Sequence, residues 1–343
     1  MANPLVSIII LTYKNGLKDV KKCLISLSAV SYKPFEIILV DNASTDNTVI
    51  YIEKHFPNVK VIQNRWNMGF CTGNNQGLEI AKGKYILFFN NDAIATPDFL
   101  SILVEEFVKD NKLGAIQPKI RQLRDKSLLD ACASYLTNTG FLYHYGYSQN
   151  QANQKYNKKL YMYSVKGACF LARKSLIDRI GLFDDDYFAY FEETDFCHRV
   201  WLSGFKIGYL PSSEIYHLGG AGKEASPFIQ FHSYKNRIHT YLKNFELWPL
   251  VKILSIHIAM CFGVALMYFV TGKILYSLAI IKAIAWNIVN FKKLIIKRRF
   301  VQRKIRKVKD AAILPQILKG VKVSYYKHFL SNARGYYDFD EII

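Results

Sequence analysis

The stretch YILFFNND, from Tyr85 to Asp92, decides the fold class. Its apolar residues place bulky side chains on both faces, which is typical of a strand buried in a parallel sheet. Asn90, Asn91 and Asp92 follow at the carboxyl end of this strand, where open α/β sheets bind their ligands. A carboxylate there can hold Mg²⁺ or Mn²⁺ against a diphosphate, because these cations prefer oxygen ligands and often share them with substrate phosphates. An ordinary turn is the alternative, since Asn and Asp are common turn residues.

Strand-like and helix-like segments alternate on both sides of this stretch. Strands are predicted at residues 5–11, 36–41, 59–63 and 84–90, and helices at 17–30, 46–56, 71–81 and from Pro97 to about 110. Further strands are predicted at 167–173 and 205–210, the latter ending at Pro211, and further helices at 191–203 and 228–245. Residues 121–165 read as loops and short strands. The alternation predicts an α/β fold with a doubly wound, mostly parallel, Rossmann-like sheet.

The charge of the chain is strongly positive and unevenly distributed. Lys and Arg number 46 against 27 Asp and Glu, for a formal net charge of +19 among 343 residues. Ten basic residues and no acidic one lie between Lys292 and Lys309. This block suits lipid head groups or nucleic acid, or it forms a solvated helix with no partner. The six cysteines are scattered without a C-x-x-C pair, which argues against a zinc site and indicates a reducing compartment.

Two further segments carry candidate binding residues. Asp41 ends the second predicted strand, where its carboxylate can accept hydrogen bonds from a nucleobase imide or a ribose hydroxyl. Asn67, Gly69 and Asn74 lie around the start of the third predicted helix, where amide groups can meet a phosphate. The sequence contains neither G-x-G-x-x-G nor G-x-x-x-x-G-K-[ST], so a dinucleotide enzyme and a P-loop NTPase are unsupported.

Three acids and one histidine are candidates for chemistry. Glu192, Glu193 and Asp195 begin a predicted helix, where acids also complement the helix dipole. Flanking aromatic residues place these acids in a partly apolar setting, which raises a carboxyl pKa towards the range of a general base. His217 precedes a glycine pair, and its neutral imidazole can complete a metal site begun by Asp92, although packed or capping histidines are more common.

The order of these motifs resembles the family 2 glycosyltransferases with the GT-A fold, in particular their bacterial rhamnosyltransferase-like branch. The resemblance covers roughly residues 5–245. It rests on V-D-N-x-S-x-D (40–46), N-x-G-F (67–70), N-N-D (90–92), G-A (167–168), E-E-x-D (192–195) and His217. Each motif is weak alone, and the joint signal comes from their order and spacing.

The resemblance implies a donor site and a metal site. Asp41 would contact the base of a nucleoside diphosphate sugar, with Thr12 and Tyr13 beside it. Asp92 occupies the last position of the family's D-x-D metal motif, and His217 matches a histidine that ligates the same Mg²⁺ or Mn²⁺ in some relatives. The remaining substrate-binding residues implied are Asn67, Gly69, Asn74, Asn90, Asn91, Gly167 and Ala168.

The resemblance also implies an inverting transfer with Glu193 as the catalytic base, and Glu192 and Asp195 stay open as alternatives. Relatives usually carry Asp at the Glu193 position, and Asn90 replaces the first acid of D-x-D. The implied donor is of the dTDP or UDP type, with L-rhamnose the first expectation for the sugar. The implied acceptor is a glycan hydroxyl, linked to a lipid such as a polyprenyl diphosphate, in cell-surface polysaccharide synthesis.

The composition changes after residue 245, which predicts two domains: a catalytic domain at 1–245 and a membrane-associating tail at 246–343. Residues 253–271 contain no Lys, Arg, Asp or Glu, and this stretch is just long enough to span a bilayer core. A second apolar stretch at 274–291 is broken by Lys282. Two crossings or interfacial helices keep the basic block on the same side as the catalytic domain. We expect interfacial helices or a shallow hairpin at the cytoplasmic face of the membrane. A soluble helical subdomain and a dimer interface are the alternatives.

Three other functions compete with this interpretation. A sugar-nucleotide-binding protein without activity would keep the donor site alone. A nucleic-acid-binding protein would explain the basic block, but the sequence contains no recognised DNA or RNA module, so we expect no nucleic-acid partner. A nucleotidyltransferase would need an N-terminal glycine-rich basic loop, and residues 12–16 supply only one Lys and one Gly.

Overall fold

The computed structural model describes residues 3–14, 16–219 and 226–320. Of the predicted features, Gly220 and the tail beyond residue 320 lie outside this part of the chain. The first half alternates strands with helices. Its elements are β1 (Val6–Tyr13), α1 (Leu17–Ser28), β2 (Phe35–Asn42), α2 (Thr48–His55), β3 (Val59–Asn64), α3 (Gly69–Glu79), β4 (Tyr85–Phe89), β5 (Ala93–Ala95) and α4 (Phe99–Lys109).

The second half adds short strands and then helices. Its strands are β6 (Leu113–Gln122), β7 (Leu129–Ala131), β8 (Ala133–Thr137), β9 (Leu142–Tyr145), β10 (Leu160–Tyr161), β11 (Cys169–Arg173), β12 (Lys206–His217) and β13 (Leu318–Lys319). Its helices are α5 (Lys174–Ile180), α6 (Glu192–Leu202), α7 (Pro227–Asn244), α8 (Leu247–Val270), α9 (Ile274–Val289), α10 (Phe291–Phe300) and α11 (Asp310–Ile317). A 3₁₀ turn occupies Gln154–Asn157 and a π-helical turn Val301–Ile305.

The main sheet has ten strands, eight of which follow the order β10-β12-β6-β11-β4-β1-β2-β3. β1 pairs in parallel with β2 and β4, and β2 with β3, as alternation with helices predicts. β11 runs antiparallel between β4 and β6, so the sheet is mixed although rich in parallel pairs. β8, β9 and β13 form a separate three-stranded sheet.

Helices cover both faces of the main sheet. Residues of α1, α2 and α4 share one buried cluster with β1, and residues of α3, α5 and α6 belong to the cluster on the other face. Such two-sided burial requires strands that are apolar on both faces, which is the pattern of β4, whose five residues are all buried. The strand ends, not the faces, are therefore left for binding.

Two boundaries differ from the sequence prediction. The strand predicted to end at Pro211 continues to His217, because a register shift between Leu210 and Glu214 absorbs the proline, which cannot donate a ladder hydrogen bond. The helix predicted to open at Pro97 begins instead at Phe99, after Asp98. The longer β12 brings His217 close to the residues that follow β4, with its Nε2 3.4 Å from Asn90 Nδ2.

The C-terminal helices pack on α6 and on one another. Leu250 of α8, and Val301 and Ile305 after α10, belong to the same buried cluster as α6. The backbone N–H of Glu246 donates to Asp310 Oδ2 at 2.7 Å, and that of Asp310 to Glu246 Oε2 at 2.8 Å. This reciprocal pair ties together the two ends of the acid-free segment 247–309. The predicted domain boundary at 245/246 stays a prediction.

Candidate active site

The ends of β1 and β2 form one wall of the site. Thr12 and Asp41 are cross-strand neighbours, and both are buried. Asp41 Oδ2 accepts the backbone N–H of Ser44 at 3.1 Å, whereas Asp41 Oδ1, also buried, has no hydrogen-bond partner among the described residues. A buried carboxylate oxygen without a donor is unfavourable, so it suits a ligand that brings an N–H or O–H group.

Side chains from β1 and from the end of β4 connect on this wall. Asn91 Nδ2 donates to Thr12 Oγ1 at 3.1 Å, while Tyr13 leaves 44% of its surface exposed. The backbone N–H of Asn90 donates to the Ala168 carbonyl at 2.9 Å. A Cβ added at Gly167 would meet only Phe70, at 4.0 Å, so there is room beside this glycine. The structure therefore brings these predicted residues to one edge of the sheet.

Asp92 and His217 converge as predicted, although 125 positions separate them in the sequence. β5 pairs antiparallel with the end of β12, and this pairing places His217 opposite Ala93. His217 Nε2 lies 3.1 Å from Asp92 Oδ1 and 3.4 Å from Asn90 Nδ2. The other ring nitrogen, Nδ1, lies 2.7 Å from Asp130 Oδ2.

The charges around His217 fit a cation. Burial lowers the pKa of His217, but the carboxylates of Asp130 and Asp92 outweigh it and raise that pKa overall. Burial raises the pKa of Asp130, and hydrogen bonds from His217 and Lys166 lower it overall. A histidine whose second nitrogen donates to a carboxylate presents its other nitrogen as a metal ligand in a fixed orientation. Oxygen from Asp92 and nitrogen from His217 therefore suit Mg²⁺ or Mn²⁺.

A second group of ligand-type atoms lies elsewhere. Asp184, Asp186 and His239 bring their ligand atoms within 4.8 Å of one another. Lysines already neutralise this group: Lys243 lies 2.6 Å from Asp184, and Lys297 pairs with both aspartates. Burial raises the pKa of Asp184, but Lys243 and Lys297 hold it well below its usual range. Since the lysines leave little negative charge for a cation, this group suits a cation less well than Asp92 and His217 do.

The predicted phosphate loop is occupied by protein contacts. Asn67 Oδ1 accepts the backbone N–H of Gly69 at 2.9 Å, and Asn74 Nδ2 donates to the Phe70 carbonyl at 2.8 Å. Gly69 has φ +84°, and an added Cβ would lie 2.6 Å from the Phe188 carbonyl oxygen. These residues build the start of α3 and its contact with the loop before α6. Their predicted contact with substrate stays a prediction.

Glu192 and Glu193 begin α6 in an unusual backbone setting. Tyr190 and Phe191 have φ of 73° and 70°, a left-handed conformation that costs aromatic residues about 1–3 kcal/mol each. Asn236 of α7 holds this segment, because its Nδ2 donates to the Ala189 carbonyl at 2.9 Å and to the Tyr190 carbonyl at 2.6 Å. Such strain, retained by specific contacts, is typical of functional sites.

The two glutamates differ in accessibility. Glu192 is 6% exposed and its Oε2 has no hydrogen-bond partner within the described ranges. Burial, and then the charge of Glu193, raise the pKa of Glu192 well above its usual value. Glu193 is only half-buried. Burial raises its pKa to about 7, against a backbone hydrogen bond and the positive charge of Lys166. Glu193 is thus the accessible acid that changes charge near neutral pH.

Asp195, the third candidate, serves the structure instead. It is fully buried, 3.0 Å from Arg199 Nε and 3.0 Å from Lys243 Nζ, and it accepts from Asn244 Nδ2 at 2.9 Å. Burial raises its pKa, but Lys243 and Arg199 outweigh it and lower that pKa overall. Two positions along a helix turn a side chain by about 200°, so Asp195 points away from Glu193. This geometry argues against Asp195 as the base.

Three residues of the site were missed in the sequence. Asp130 orients His217, and Lys166 lies 2.7 Å from Asp130 Oδ1 while its charge also acts on Glu193. The charge of Lys166 thereby connects the Asp130–His217 pair with Glu193. A lone acid inside the apolar run from Leu128 to Cys132 was a usable signal for Asp130. Neither Lys166 nor Asn236 carries a comparable signal, because their partners are distant in sequence.

Comparisons with known proteins identify the family of the chain. Residues 7–181 match the family described as Glycosyl transferase family 2. The chain is 26% identical over 231 residues to an N-acetylglucosaminyl-diphospho-decaprenol L-rhamnosyltransferase of Mycobacterium tuberculosis, which covers 61% of this chain and 75% of that protein. It is 25% identical over 255 residues to a poly-beta-1,6-N-acetyl-D-glucosamine synthase of Staphylococcus epidermidis, which covers 72% of this chain and 58% of that protein.

A solved structure shares the fold. A mannosyltransferase from Pyrobaculum calidifontis, in complex with GDP-Man and Mn²⁺, superposes with a TM-score of 0.53 at 16% identity. The match covers 84% of this chain and 88% of that chain. The predicted α/β architecture of the GT-A type is confirmed.

Proposed function

The chain belongs to glycosyl transferase family 2 and acts on nucleotide sugars, and from this membership we propose that it transfers a sugar to a glycan hydroxyl with inversion. Glu193 carries the proposal. It is accessible and changes charge near neutral pH, and Lys166 connects it with the group formed by Asp130, His217 and Asp92. A base facing a diphosphate-binding group is what a single displacement at an anomeric carbon requires.

In the proposed reaction, Glu193 takes the proton of the acceptor hydroxyl. The hydroxyl oxygen forms a bond to the anomeric carbon while the bond from that carbon to the diphosphate breaks, which inverts the configuration. Asp92 and His217 would hold Mg²⁺ or Mn²⁺, and such a cation neutralises a leaving diphosphate as a Lewis acid when bound. Asp41 would accept from the nucleobase or ribose of the donor.

The proposed donor is dTDP-L-rhamnose, with UDP sugars as the alternative. The Mycobacterium tuberculosis relative is named as an L-rhamnosyltransferase, which favours the first sugar. A thermal-shift panel of sugar nucleotides with Mn²⁺ tests the choice, because a ligand at 100 times its Kd stabilises a protein by about 2.7 kcal/mol. A sugar nucleotide that stabilises the protein but is never transferred to any acceptor would identify an inactive binder instead.

The proposed acceptor is lipid-linked, and we place the protein at the cytoplasmic face of the membrane. The 24-residue α8 is long and apolar enough to cross a bilayer, and α9 with the helix after it, bent by 68°, forms a second candidate span. Exposed apolar side chains on this surface include Trp248, Phe262, Leu266, Phe269, Leu275 and Ile288. Exposed lysines lie among them, at 252, 273 and 282. Apolar residues interspersed with cations favour helices lying in the interface.

Carbonate extraction tests this arrangement. An interfacial protein is released by carbonate, whereas a spanning protein stays in the membrane pellet. Retention of the full-length chain in the pellet would replace the interfacial arrangement with a spanning one. Full solubility with no binding to anionic vesicles would refute both.

A further inference from the structure

Arg237 of α7 is a half-buried guanidinium without an acidic partner. Its Cζ lies 4.7 Å from the ring centre of Phe141, 5.1 Å from that of Phe191 and 5.5 Å from that of Tyr234. Its Nε is buried and unpaired, and within the described ranges Arg237 makes no hydrogen bond or ion pair. Arginine is rarely desolvated without an anion, because each of its N–H groups then lacks an acceptor. The three rings surround the guanidinium, and no acceptor among the described residues satisfies its Nε–H group.

The position of Arg237 links the reacting groups with the apolar helices. Phe191 directly precedes Glu192 at the start of α6. Phe141 and Tyr234 pack on His257 of α8. The ring centre of His257 lies 4.9 Å from that of Phe141 and 6.4 Å from that of Tyr234. Phe141, Phe191 and Tyr234 form a cage around Arg237. This cage therefore lies between the two glutamates at the start of α6 and α8, the helix that we propose to face the membrane. A lipid-linked substrate would have to cross this junction to reach Glu193.

The surroundings of Arg237 are positively charged. Burial, and then the positive charges of Lys166 and Arg237, lower the pKa of His144. Asp130 acts on His144 in the opposite direction. Asp130 is already paired with Lys166 and with His217, each at 2.7 Å. Because Lys166 and His217 already neutralise Asp130, its carboxylate does little to neutralise Arg237.

We propose that Arg237 binds the phosphate group of a lipid-linked diphosphate acceptor. The assignment rests on the proposed function and adds the residues that would recognise the acceptor. A guanidinium edge matches two phosphate oxygens at once. The apolar surface of α8 would continue from the phosphate along the lipid chain. The donor diphosphate is a separate ligand, bound at Asp92 and His217.

Direct binding of sugar-free probes tests the assignment in full-length protein. We expect decyl diphosphate to bind wild type and to bind Arg237→Gln at least about tenfold more weakly, since a charge-assisted bidentate contact is lost. Arg237→Lys keeps the charge without the fork and should fall between the two. Decyl glucoside, which has no phosphate, should bind all three proteins equally. Arg179→Gln is the matched control, because Arg179 is an exposed arginine stacked on Phe205.

Two further measurements separate the possible outcomes. Asp92→Asn should weaken sugar-nucleotide binding and leave decyl diphosphate binding unchanged. Binding to phosphatidylglycerol vesicles should be unchanged in Arg237→Gln. A parallel loss of both phospholipid and decyl diphosphate binding would reassign Arg237 to a lipid head group, and an equal loss for decyl glucoside would reduce it to a structural residue. Sugar nucleotides that fail to bind would contradict the proposed function while leaving the decyl diphosphate result intact.

Discussion

Replacing Glu193 with glutamine tests the chemistry most directly. Glutamine matches the shape of glutamate but cannot accept the acceptor proton. Loss of a general base typically lowers turnover by about 10²–10⁴-fold. Donor binding should change little, because Glu193 faces the acceptor side in the proposed reaction. We therefore expect Glu193→Gln to lower kcat by at least about 100-fold and to leave the donor KM within about twofold.

The pH dependence of the wild type should report the same group. Burial raises the pKa of Glu193 to about 7, and only the carboxylate form can act as a base. The active fraction would then rise from about 10% at pH 6 to about 90% at pH 8, a roughly ninefold increase in kcat. Lys166→Met removes the positive charge that lowers this pKa, so the rise should move to higher pH.

Initial rates of nucleoside diphosphate release, at saturating donor and acceptor between pH 5.5 and 9, measure both effects. Glu192→Gln is the matched control. Glu192 is buried, and its raised pKa favours the uncharged form over the carboxylate that a base requires, so its replacement should lower kcat less than about tenfold. Turnover of Glu193→Gln within about tenfold of wild type, or a flat profile between pH 6 and 8, would remove Glu193 from the role.

Three other changes test the metal, the ion pairs and the backbone. EDTA should abolish transfer by wild type, Mg²⁺ or Mn²⁺ should restore it, and Asp92→Asn should respond to neither; full activity in chelator would eliminate the proposed metal site. Lys243→Met leaves two buried aspartates short of a partner, so urea unfolding should show a loss of about 3–5 kcal/mol, against less than about 0.5 for the exposed Lys18→Met. The pKa values of those aspartates are lowered overall, because the ion pairs outweigh burial. The stabilisation by Lys243 is therefore present above about pH 4 and is lost at lower pH. Equal stability of Lys243→Met and Lys18→Met at pH 7 would contradict this prediction. Gly69→Ala forces a Cβ to within 2.6 Å of a carbonyl oxygen at φ +84°, so it should lower both Tm and kcat, whereas Gly263→Ala, with nothing within 4 Å of the added Cβ, should not.

The strand ends were predictable because they follow from local patterns. Apolar runs bounded by polar residues located β1 to β4, and parallel topology then required that Asp41 and Asp92 lie at the same edge of the sheet. His217 was a candidate metal ligand from its position before a glycine pair, and the family resemblance strengthened that prediction. Its strand was predicted too short, because Pro211 reads as a stop in sequence and becomes tolerable only at the bulge of β12.

The contacts that tune the site were not predictable, because they join residues distant in sequence. Lys166 reaches Asp130 across 36 positions, and Asn236 reaches Tyr190 across 46. Nothing local marks either residue, since Lys is common on surfaces and Asn is ordinary in a helix of mixed composition. The same limit applies to Asp195, which shares a local setting with Glu193 and differs only in the cations that α6 and α7 bring to it.

The basic block after α9 divides into two sets of cations, and this division follows from their contacts. Lys293 and Lys297 pair with the aspartates of the loop before α6, and Arg306 pairs with Asp310 at 2.7 Å. Their charge is used inside the protein, and it anchors the segment that positions the glutamates. Exposed cations without an ion pair in the described part of the chain are Lys292, Arg299, Arg303, Lys304, Lys307 and Lys309. Only this second set has charge available for lipid head groups, so neutralising it should weaken binding to anionic vesicles without changing kcat. Neutralising Lys297 should instead lower kcat without weakening binding to anionic vesicles, because the loop it holds leads directly to Glu193.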